Sequence, residues 1–289
     1  YEQCDSIIFF PFSSNNNWTN QVIMWKGDDF TIYNGGYEYL RNPDKFGDQW
    51  TMDGWIARGK SYNPQSLPVG DKNLIYFSAF CNREYMQLLR LLLRSLKNQP
   101  YQNFELLFIT DETTKLKIES TEEIGLFTAH YHVVNPVSSP VDASMEKLKI
   151  YQWENIDNYK RILFLDLDII AIGSLEVIFE SVIENNVFYG ATHNHNHSMH
   201  KTHYHCLSNY TEAQLANFEK KGITTINAGQ FLFSNTPTMK LHMDNINSFI
   251  LRWDGRYFFE QSFLNHYFNL LEMTNTKTFQ EQFQFVSIN

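Results

Sequence analysis

The sequence predicts an α/β protein with a mostly parallel sheet flanked by helices and a small β-rich segment in front of it. Residues 162–165 form an unbroken apolar run, as expected for a strand that is buried on both faces. Residues 74–80, 83–96 and 104–109 read as strand, helix and strand, which is the spacing of a right-handed βαβ unit. Strand-like and helical segments continue to alternate after this unit, as is typical of helices packed on both faces of a sheet.

Residues 1–72 differ in composition from the rest of the chain. They are rich in Asn, Trp, Tyr and Gly and contain no clear helix start. Short strand-like pieces separated by turn signals lie at residues 6–10, 21–25 and 30–33. We expect residues 1–72 to be a β-rich extension or the end of a preceding domain, and residues 73–289 to be the main domain.

The other expected elements follow from hydrophobic periodicity and from helix start signals. Strands are expected at residues 130–134, 187–191 and 224–233, and helices at residues 144–153, 175–183, 211–221 and 260–271. Thr211 is the expected cap of its helix. Residues 283–288 read as an unfinished strand. Because the chain also begins at Tyr1 rather than Met, we interpret it as part of a longer protein, with a C-terminal truncation of the main domain as one interpretation.

The composition argues against some classes of partner. A formal net charge of -9 leaves no basic excess for general binding to nucleic acid or to an anionic membrane surface. No apolar run approaches the ~20 residues that span a bilayer, so we expect no membrane span. Three cysteines are too few for a disulfide framework and leave the compartment undecided. If this acidic protein binds phosphates, we expect a metal ion to assist.

Two carboxylates, Asp166 and Asp168, come directly after the buried strand at residues 162–165. Side chains two residues apart in an extended segment point to the same face, so both carboxylates can converge on one cation. The ligands of open α/β sheets bind beyond the carboxyl ends of the strands, where this pair is expected to lie. A solvated turn between strand and loop is the alternative explanation of the same spacing.

Four segments, in this order, resemble the glycogenin-like glycosyltransferase family 8. They are CNREY at residues 81–85, a Lys, Trp, Tyr and Asp-Leu-Asp series at residues 149–168, INAGQFLF at residues 226–233 and EQSFLN at residues 260–265. The resemblance covers the chain from residue 73 to its end. It implies a GT-A fold, which is Rossmann-like, and transfer of a sugar with retention of anomeric configuration.

The resemblance also implies which residues bind the donor. Asn82 and Tyr85 would hold the uridine, and the Tyr85 ring is suited to stacking on a pyrimidine. Lys149 would contact the phosphates. The full implied set of nucleotide-sugar contacts is Cys81, Asn82, Tyr85, Lys149, Asp166, Leu167, Asp168, Asn227 and Ala228. Lys147 competes with Lys149, because this chain carries one residue more than expected between Trp153 and Tyr159.

For the reaction itself, the resemblance implies that Asn227, Glu260 and Gln261 contact the sugar. Gln261 or Glu260 would line the face where charge develops, with the leaving diphosphate helping to activate the acceptor. Asp166 and Asp168 would hold the metal ion. Hard carboxylate and phosphate oxygens favour Mn²⁺ or Mg²⁺.

Two departures from the family pattern affect this assignment. Glu260 stands where the family has Asp, and its extra methylene extends the reach by about 1.5 Å. The family's closing segment, His-x-x-Gly-x-x-Lys-Pro-Trp, is not found, although its His is the third protein ligand to the metal. His266 is not assigned to that role, since it lies within the helix that follows Glu260.

Residues 193–205 are rich in histidine, but their spacing matches no closed zinc pattern. We expect this segment to be a mobile loop over the donor site or the acceptor groove, where such lids exclude water.

The predicted function is therefore a metal-dependent, retaining glycosyltransferase. It would move a hexose or pentose from a UDP-sugar to a glycan or glycoprotein acceptor. One alternative is a catalytically silent GT-A domain that binds a glycan or a partner. Another is a phosphatase of the haloacid-dehalogenase type, but that class expects Gly-Thr after the second Asp, where this chain has Ile169 and Ile170. The sugar, the acceptor and the oligomeric state are left open.

Overall fold

A computed structural model provides the structure of the protein. It describes residues 6–14, 17–26, 29–34, 56–57, 67–80, 83–181, 183–192, 212–251, 260–282 and 285–287. The chain divides into two compact units, Tyr1–Gln65 with Ser248–Arg256, and Ser66–Asn247 with Tyr257–Asn289. The predicted domain boundary at residue 72 stays a prediction. Within the described part of the chain, no helix is both long enough and apolar enough to cross a bilayer.

The first unit contains an antiparallel sheet of four strands. These are β1 (Ser6–Ser14), β2 (Asn17–Lys26), β3 (Asp29–Asn34) and β4 (Ile56–Ala57), in the order β3-β2-β1-β4. β1 and β2 pair over their whole lengths, from Ser6 opposite Trp25 to Ser14 opposite Asn17. All three strands predicted in this region are present, and each is longer than its apolar pattern indicated.

The second unit is built on a mixed, mostly parallel sheet of seven strands in the order β12-β10-β11-β8-β5-β6-β7. Its strands are β5 (Lys72–Ala79), β6 (Glu105–Thr110), β7 (Ala129–Val133), β8 (Tyr159–Leu165), β10 (Phe188–Thr192), β11 (Ile226–Ser234) and β12 (Thr274–Asn275). β5 pairs in parallel with β6 and β8, whereas β11 pairs antiparallel with both β8 and β10. β9 (Ile169–Ala171) pairs separately with β13 (Phe285–Ser287), so the strand expected near the end of the chain is present.

Helices connect these strands. They are α1 (Arg83–Lys97), α2 (Glu112–Glu119), α3 (Pro140–Glu146), α4 (Leu175–Glu180), α5 (Glu212–Lys221), α6 (Pro237–Ile250), α7 (Glu260–Leu270) and α8 (Lys277–Gln282), with 3₁₀ turns at Glu122–Leu126, Lys147–Gln152 and Ile156–Asn158. The predicted βαβ unit is therefore confirmed as β5, α1 and β6. The expected cap Thr211 lies outside the described residues.

The predicted central strand is β8, and its residues 162–165 are fully buried. Aromatic rings fill the space on one side of it. Phe164 stacks on Phe231 with ring centroids 4.8 Å apart, and Phe188 stacks on Phe268 at 4.4 Å. Core packing thus accounts for many of the aromatic residues in this unit.

The segment expected to be helical at residues 144–153 is helical as far as Gln152, but it begins earlier than predicted and consists of two pieces. α3 starts earlier, because Pro140 opens it and the Ser139 hydroxyl accepts a hydrogen bond from the Asp142 backbone N–H at 3.1 Å. It ends at Glu146, and a 3₁₀ turn follows in which Lys149 has non-helical backbone angles (φ −90°, ψ 18°). This change of helix type decides which lysine side chain reaches the centre of the site.

Candidate active site

Asp166 lies immediately after β8 and next to β11. Its backbone N–H donates to the Gly229 carbonyl at 2.7 Å, which extends the pairing of the two strands by one residue. The Asp166 side chain is 41% exposed to solvent. A Cβ atom at Gly229 would lie only 3.0 Å from Asp166 Oδ2, so the absence of a side chain at Gly229 makes room for the carboxylate. Asp166 is therefore placed beyond the end of the strand, as predicted.

Asp168 reaches the same region by a different geometry from the expected one. Residues 167 and 168 form a turn rather than an extended strand, closed by a 3.2 Å hydrogen bond from the Ile169 N–H to the Asp166 carbonyl. The same-face argument for side chains two residues apart is therefore wrong here. The negative charge of Asp168 still acts on Asp166, because it is one of the charges that raise the pKa of Asp166.

Lys147 lies at the centre of the site and joins three segments of the chain. Its Nζ donates to Asp166 Oδ1 at 3.1 Å, to the Ala228 carbonyl at 3.2 Å and to Glu260 Oε1 at 2.8 Å. The side chain is only 4% exposed, and its ammonium group lies 4.3 Å from the centre of the Phe164 ring. Three acceptors match the three hydrogens of an ammonium group. Lys147 therefore links the ends of β8, β11 and α7.

The backbone around Lys147 is held from several directions. The Tyr76 hydroxyl on β5 donates to the Lys147 carbonyl at 3.0 Å, and the Asn247 amide on α6 donates to the Leu148 carbonyl at 2.8 Å. The Ser78 hydroxyl donates to the Ala143 carbonyl in α3 at 2.9 Å. These bonds fix the turn that directs the lysine side chain into the site.

Lys149, the predicted phosphate ligand, has a different partner. Its ammonium group donates to the carboxylate of Glu146, and its side chain is 32% exposed. Side chains two positions apart in a helical turn point to different faces, so Lys147 and Lys149 cannot both face Asp166. The structure places Lys147, the competing candidate, beside the carboxylates. The predicted phosphate contact of Lys149 stays a prediction.

Electrostatics distinguish the members of this cluster. Burial by itself lowers the pKa of Lys147, but attraction to Asp166 and Glu260 outweighs burial and holds that pKa above its ordinary value. Although the Asp166 side chain is partly exposed, the protein groups packed around it displace water from the carboxylate and raise its pKa; the negative charges of Glu260 and Asp168 add to this shift against the opposing effect of Lys147. The lysine is therefore charged, and it leaves the negative charge around Asp166 incompletely balanced.

Glu260 is the first residue of α7, where a negative charge is favoured by the helix dipole. It is 7% exposed, and its Oε1 accepts from Lys147. Its other oxygen, Oε2, is buried and has no hydrogen-bond partner among the described residues. The structure thus places Glu260 at the site and turns one of its oxygens toward Lys147.

Two amide side chains dock α7 against β11. Gln261 Oε1 accepts from the Ala228 N–H at 3.1 Å, while Asn265 accepts from the Ile226 N–H at 2.6 Å and donates to the Ile226 carbonyl at 2.9 Å. Asn227 Oδ1 accepts from the Gly229 N–H at 2.8 Å. The predicted sugar contacts Asn227, Glu260 and Gln261 are therefore brought together beside Asp166.

The implied uridine contacts are only partly described. Tyr85 lies in the first turn of α1, directly after the carboxyl end of β5, and is half exposed. Cys81 and Asn82 lie outside the described residues, as do the histidine-rich residues 193–205. The side chain of His266 lies outside them too. The position of Tyr85 agrees with ligand binding at the carboxyl ends of parallel strands.

With this geometry in place, comparison with known proteins decides the family. The profile of Glycosyl transferase family 8 matches residues 81–287, which is most of the chain. The chain belongs to glycosyltransferase family 8. No curated protein sequence matches it significantly.

Solved glycosyltransferase structures are similar to this family 8 chain at low identity. The galactosyltransferase LgtC, in complex with donor and acceptor sugar analogues, is 15% identical, with 70% of this chain and 72% of that one covered and a TM-score of 0.47. GlyE of Streptococcus pneumoniae TIGR4 is 15% identical, with 74% and 47% covered and a TM-score of 0.46. Mouse xyloside xylosyltransferase 1 is 14% identical, with 71% and 84% covered and a TM-score of 0.42.

Family membership and the seven-stranded, mostly parallel sheet confirm the predicted GT-A fold. The haloacid-dehalogenase alternative does not agree with this membership. Glycosyl transfer is therefore the activity class of the enzyme.

The cation ligands predicted for this glycosyltransferase are Asp166 and Asp168. Among the described residues, no group of three or more His, Cys, Asp or Glu side chains is arranged to hold a metal ion. Asp166 and Asp168 are partly exposed and offer hard oxygen ligands. Such a pair fits a cation of the Mg²⁺ or Mn²⁺ type, which keeps several ligands from water and substrate phosphates.

Proposed function

We propose that this family 8 enzyme is a metal-dependent, retaining transferase. It moves a hexose or pentose from a UDP-sugar to a hydroxyl group of a glycan or glycoprotein acceptor. The observation that carries the proposal is the cluster of Asp166, Lys147 and Glu260 beyond the end of β8, linked to β11 through the Ala228 carbonyl. This cluster brings together three of the four segments that resemble the family, those at residues 149–168, 226–233 and 260–265.

The charge balance of the site supports a need for metal. Asp166, Asp168 and Glu260 carry three negative charges against the one positive charge of Lys147. A sugar nucleotide adds the negative charge of its diphosphate, which such a site would repel. A divalent cation held by Asp166 and Asp168 would supply Lewis-acid stabilisation of the charge that develops on the leaving diphosphate.

The chain's own residues divide the remaining work. Tyr85 offers a half-exposed ring for base stacking at the end of β5. Asn227 and Gln261 are held in place by their hydrogen bonds to Gly229 and Ala228. They can therefore orient the sugar with little further loss of side-chain entropy when the donor binds. Glu260 is buried and bonded to Lys147, which makes it a poor candidate for a nucleophile.

A donor screen tests this proposal. UDP-glucose, UDP-galactose, UDP-xylose and UDP-N-acetylglucosamine are each incubated with the enzyme, and UDP release is measured with Mn²⁺ and with a chelator. We expect Mn²⁺-dependent hydrolysis of one donor and its loss in Asp168→Ala. Asp157→Ala, which removes an exposed aspartate from a 3₁₀ turn, serves as the matched control and should retain the wild-type rate. Equal release with and without metal, or no loss in Asp168→Ala, would contradict the assignment.

The catalytically silent alternative predicts a different pattern. UDP-sugars or glycans would then bind, but no donor would release UDP above the rate seen with Asp168→Ala.

A further inference from the structure

We propose that Lys147 is an internal cation that competes with the divalent ion for Asp166, and that Glu260 takes over the ammonium group when the ion binds. This inference rests on the proposed function and concerns the same site. It assigns to Lys147 and Glu260 a control of metal affinity that acts before any sugar is transferred.

Asp166 is already paired before any divalent ion arrives. Its Oδ1 already accepts a hydrogen bond from the Lys147 ammonium at 3.1 Å, while its Oδ2 lies toward Gly229. A cation that approaches Asp166 therefore meets a carboxylate whose charge is partly neutralised. Attraction between opposite charges falls when one partner is already paired, so Lys147 weakens the affinity of Asp166 for the ion.

Lys147 can release Asp166 because Glu260 offers it another carboxylate. Its ammonium group already donates to Glu260 Oε1 at 2.8 Å, the shortest of its three hydrogen bonds. Glu260 Oε2 is buried and has no hydrogen-bond partner among the described residues, and a buried acceptor without a donor is costly. When the ammonium group gives up its hydrogen bond to Asp166, it can therefore donate to the second oxygen of Glu260 instead.

The Lys147 ammonium group is held within the site. The side chain is 4% exposed, its ammonium group lies against the Phe164 ring, and the Ala228 carbonyl accepts its third hydrogen bond. Its positive charge therefore stays within the site while its carboxylate partner changes. In the donor-free enzyme it also separates two carboxylates that would otherwise repel each other.

The test measures Mn²⁺ binding to the donor-free protein, following the electron paramagnetic resonance signal of free Mn²⁺. We expect Lys147→Met to bind Mn²⁺ about tenfold more tightly than wild type, because Asp166 is no longer shared. Lys115→Met removes the same charge from an exposed ion pair with Glu112 on α2. It should leave the affinity within about twofold of wild type.

A double-mutant cycle separates competition from net charge. Glu260→Gln should weaken Mn²⁺ binding, because the ammonium group then stays on Asp166. The double variant Lys147→Met, Glu260→Gln has the same net charge as wild type. Competition predicts that it binds Mn²⁺ several-fold more tightly than wild type, whereas a pure charge effect predicts equal affinity.

Lys147→Gln serves as a second neutral variant, because its amide can still donate to Glu260 if Met is not tolerated by the fold. Thermal unfolding of every variant identifies those that are folded. The proposal is overturned if the folded neutral variants bind Mn²⁺ no more tightly than wild type, or if the double variant equals wild type. A different result, in which Asp166→Ala and Asp168→Ala bind Mn²⁺ as well as wild type does, would overturn the metal site and with it the proposed function.

Discussion

Two carboxylate clusters lie at opposite ends of the parallel strands, and they differ in how completely their charges are balanced. At the amino ends of the strands, Glu105 accepts hydrogen bonds from Lys72 at 2.8 Å, from the Tyr159 hydroxyl at 2.6 Å and from His130 at 2.7 Å. At the carboxyl ends, Asp166 shares its single lysine with Glu260 and lies near a third acidic side chain.

The two clusters shift their carboxyl groups in opposite directions. Burial tends to raise the pKa of Glu105, but hydrogen bonds from Lys72, Tyr159 and His130 outweigh it and lower the pKa to about 2. The pKa of Asp166 is raised instead, first by burial and then by neighbouring negative charge. A satisfied carboxylate stabilises the fold, whereas an incompletely balanced one is suited to a ligand. Glu105 and its three donors thus form a cluster that stabilises the fold, whereas the cluster around Asp166 is the one that we propose to be functional.

The largest expected effect is a loss of catalytic activity when the cluster at the carboxyl ends of the strands is changed. Asp166→Ala should lower kcat/KM for UDP-sugar turnover by about a hundredfold or more, since it would remove a ligand of the proposed cation, which would stabilise the charge that develops on the leaving diphosphate. The free energy of unfolding, measured in urea, should change by less than about 1 kcal/mol, because the variant also relieves repulsion among the acidic side chains. A large loss of stability with activity retained would reverse the roles of the two clusters.

Glu105→Gln should produce the opposite pattern. It removes the charge that three donors stabilise, and we expect the free energy of unfolding at pH 7 to fall by about 2 kcal/mol. Turnover per folded molecule should stay at the wild-type level. The Glu105 cluster consists of Glu105, Lys72, His130 and Tyr159. A variant that is as stable as wild type would show that this cluster does not contribute to the free energy of unfolding.

The same comparison predicts a dependence on pH. Because folding lowers the pKa of Glu105 from 4.5 to about 2, its contribution to stability is fully present above about pH 5. It is lost as pH falls toward 2 and the carboxyl group is protonated in the folded state as well. Urea unfolding of wild type and Glu105→Gln from pH 7 to pH 3 should therefore show a stability difference that shrinks on acidification. A difference that stays constant would contradict the lowered pKa.

Removal of a single hydroxyl group should have a smaller effect on the free energy of unfolding. Tyr159→Phe removes one donor to Glu105 and should cost about 1.5 kcal/mol of unfolding free energy. Tyr151→Phe is the matched control, because the Tyr151 hydroxyl is buried and has no hydrogen-bond partner among the described residues. Its removal should be neutral or slightly stabilising. Equal losses in the two variants would mean that ring packing, and not the bond to Glu105, dominates.

Much of the fold could be predicted from local patterns. The apolar run at residues 162–165 and the strand-helix-strand spacing before it report burial directly, and both predictions are confirmed. The four resembling segments also predicted that Asn227, Glu260 and Gln261 lie in the same region as Asp166, which the structure shows. These features depend on residue type and spacing, which the sequence contains.

The details of the site depend on geometry that spacing does not encode. Lys147 and Glu260 are 113 positions apart, and the choice between Lys147 and Lys149 depends on a change from α-helix to 3₁₀ turn after Glu146. The turn at residues 167–168 could not be predicted, because two aspartates at alternate positions are equally compatible with an extended strand. An extra residue between Trp153 and Tyr159 was the only available signal that favoured Lys147.

The Glu105 cluster was missed for a related reason. Its members lie on four different strands, so only the parallel register of the sheet brings them together. Each of them alone reads as an ordinary polar residue at a strand end.

The central claim is that the incompletely balanced cluster at the carboxyl end binds a divalent cation and acts on a UDP-sugar. The most direct measurement is UDP release by wild-type enzyme with its preferred donor, before and after removal of divalent metal and after Mn²⁺ is added back. The account predicts a fall of about a hundredfold on removal and full recovery on addition. Unchanged release in the metal-free enzyme would contradict it.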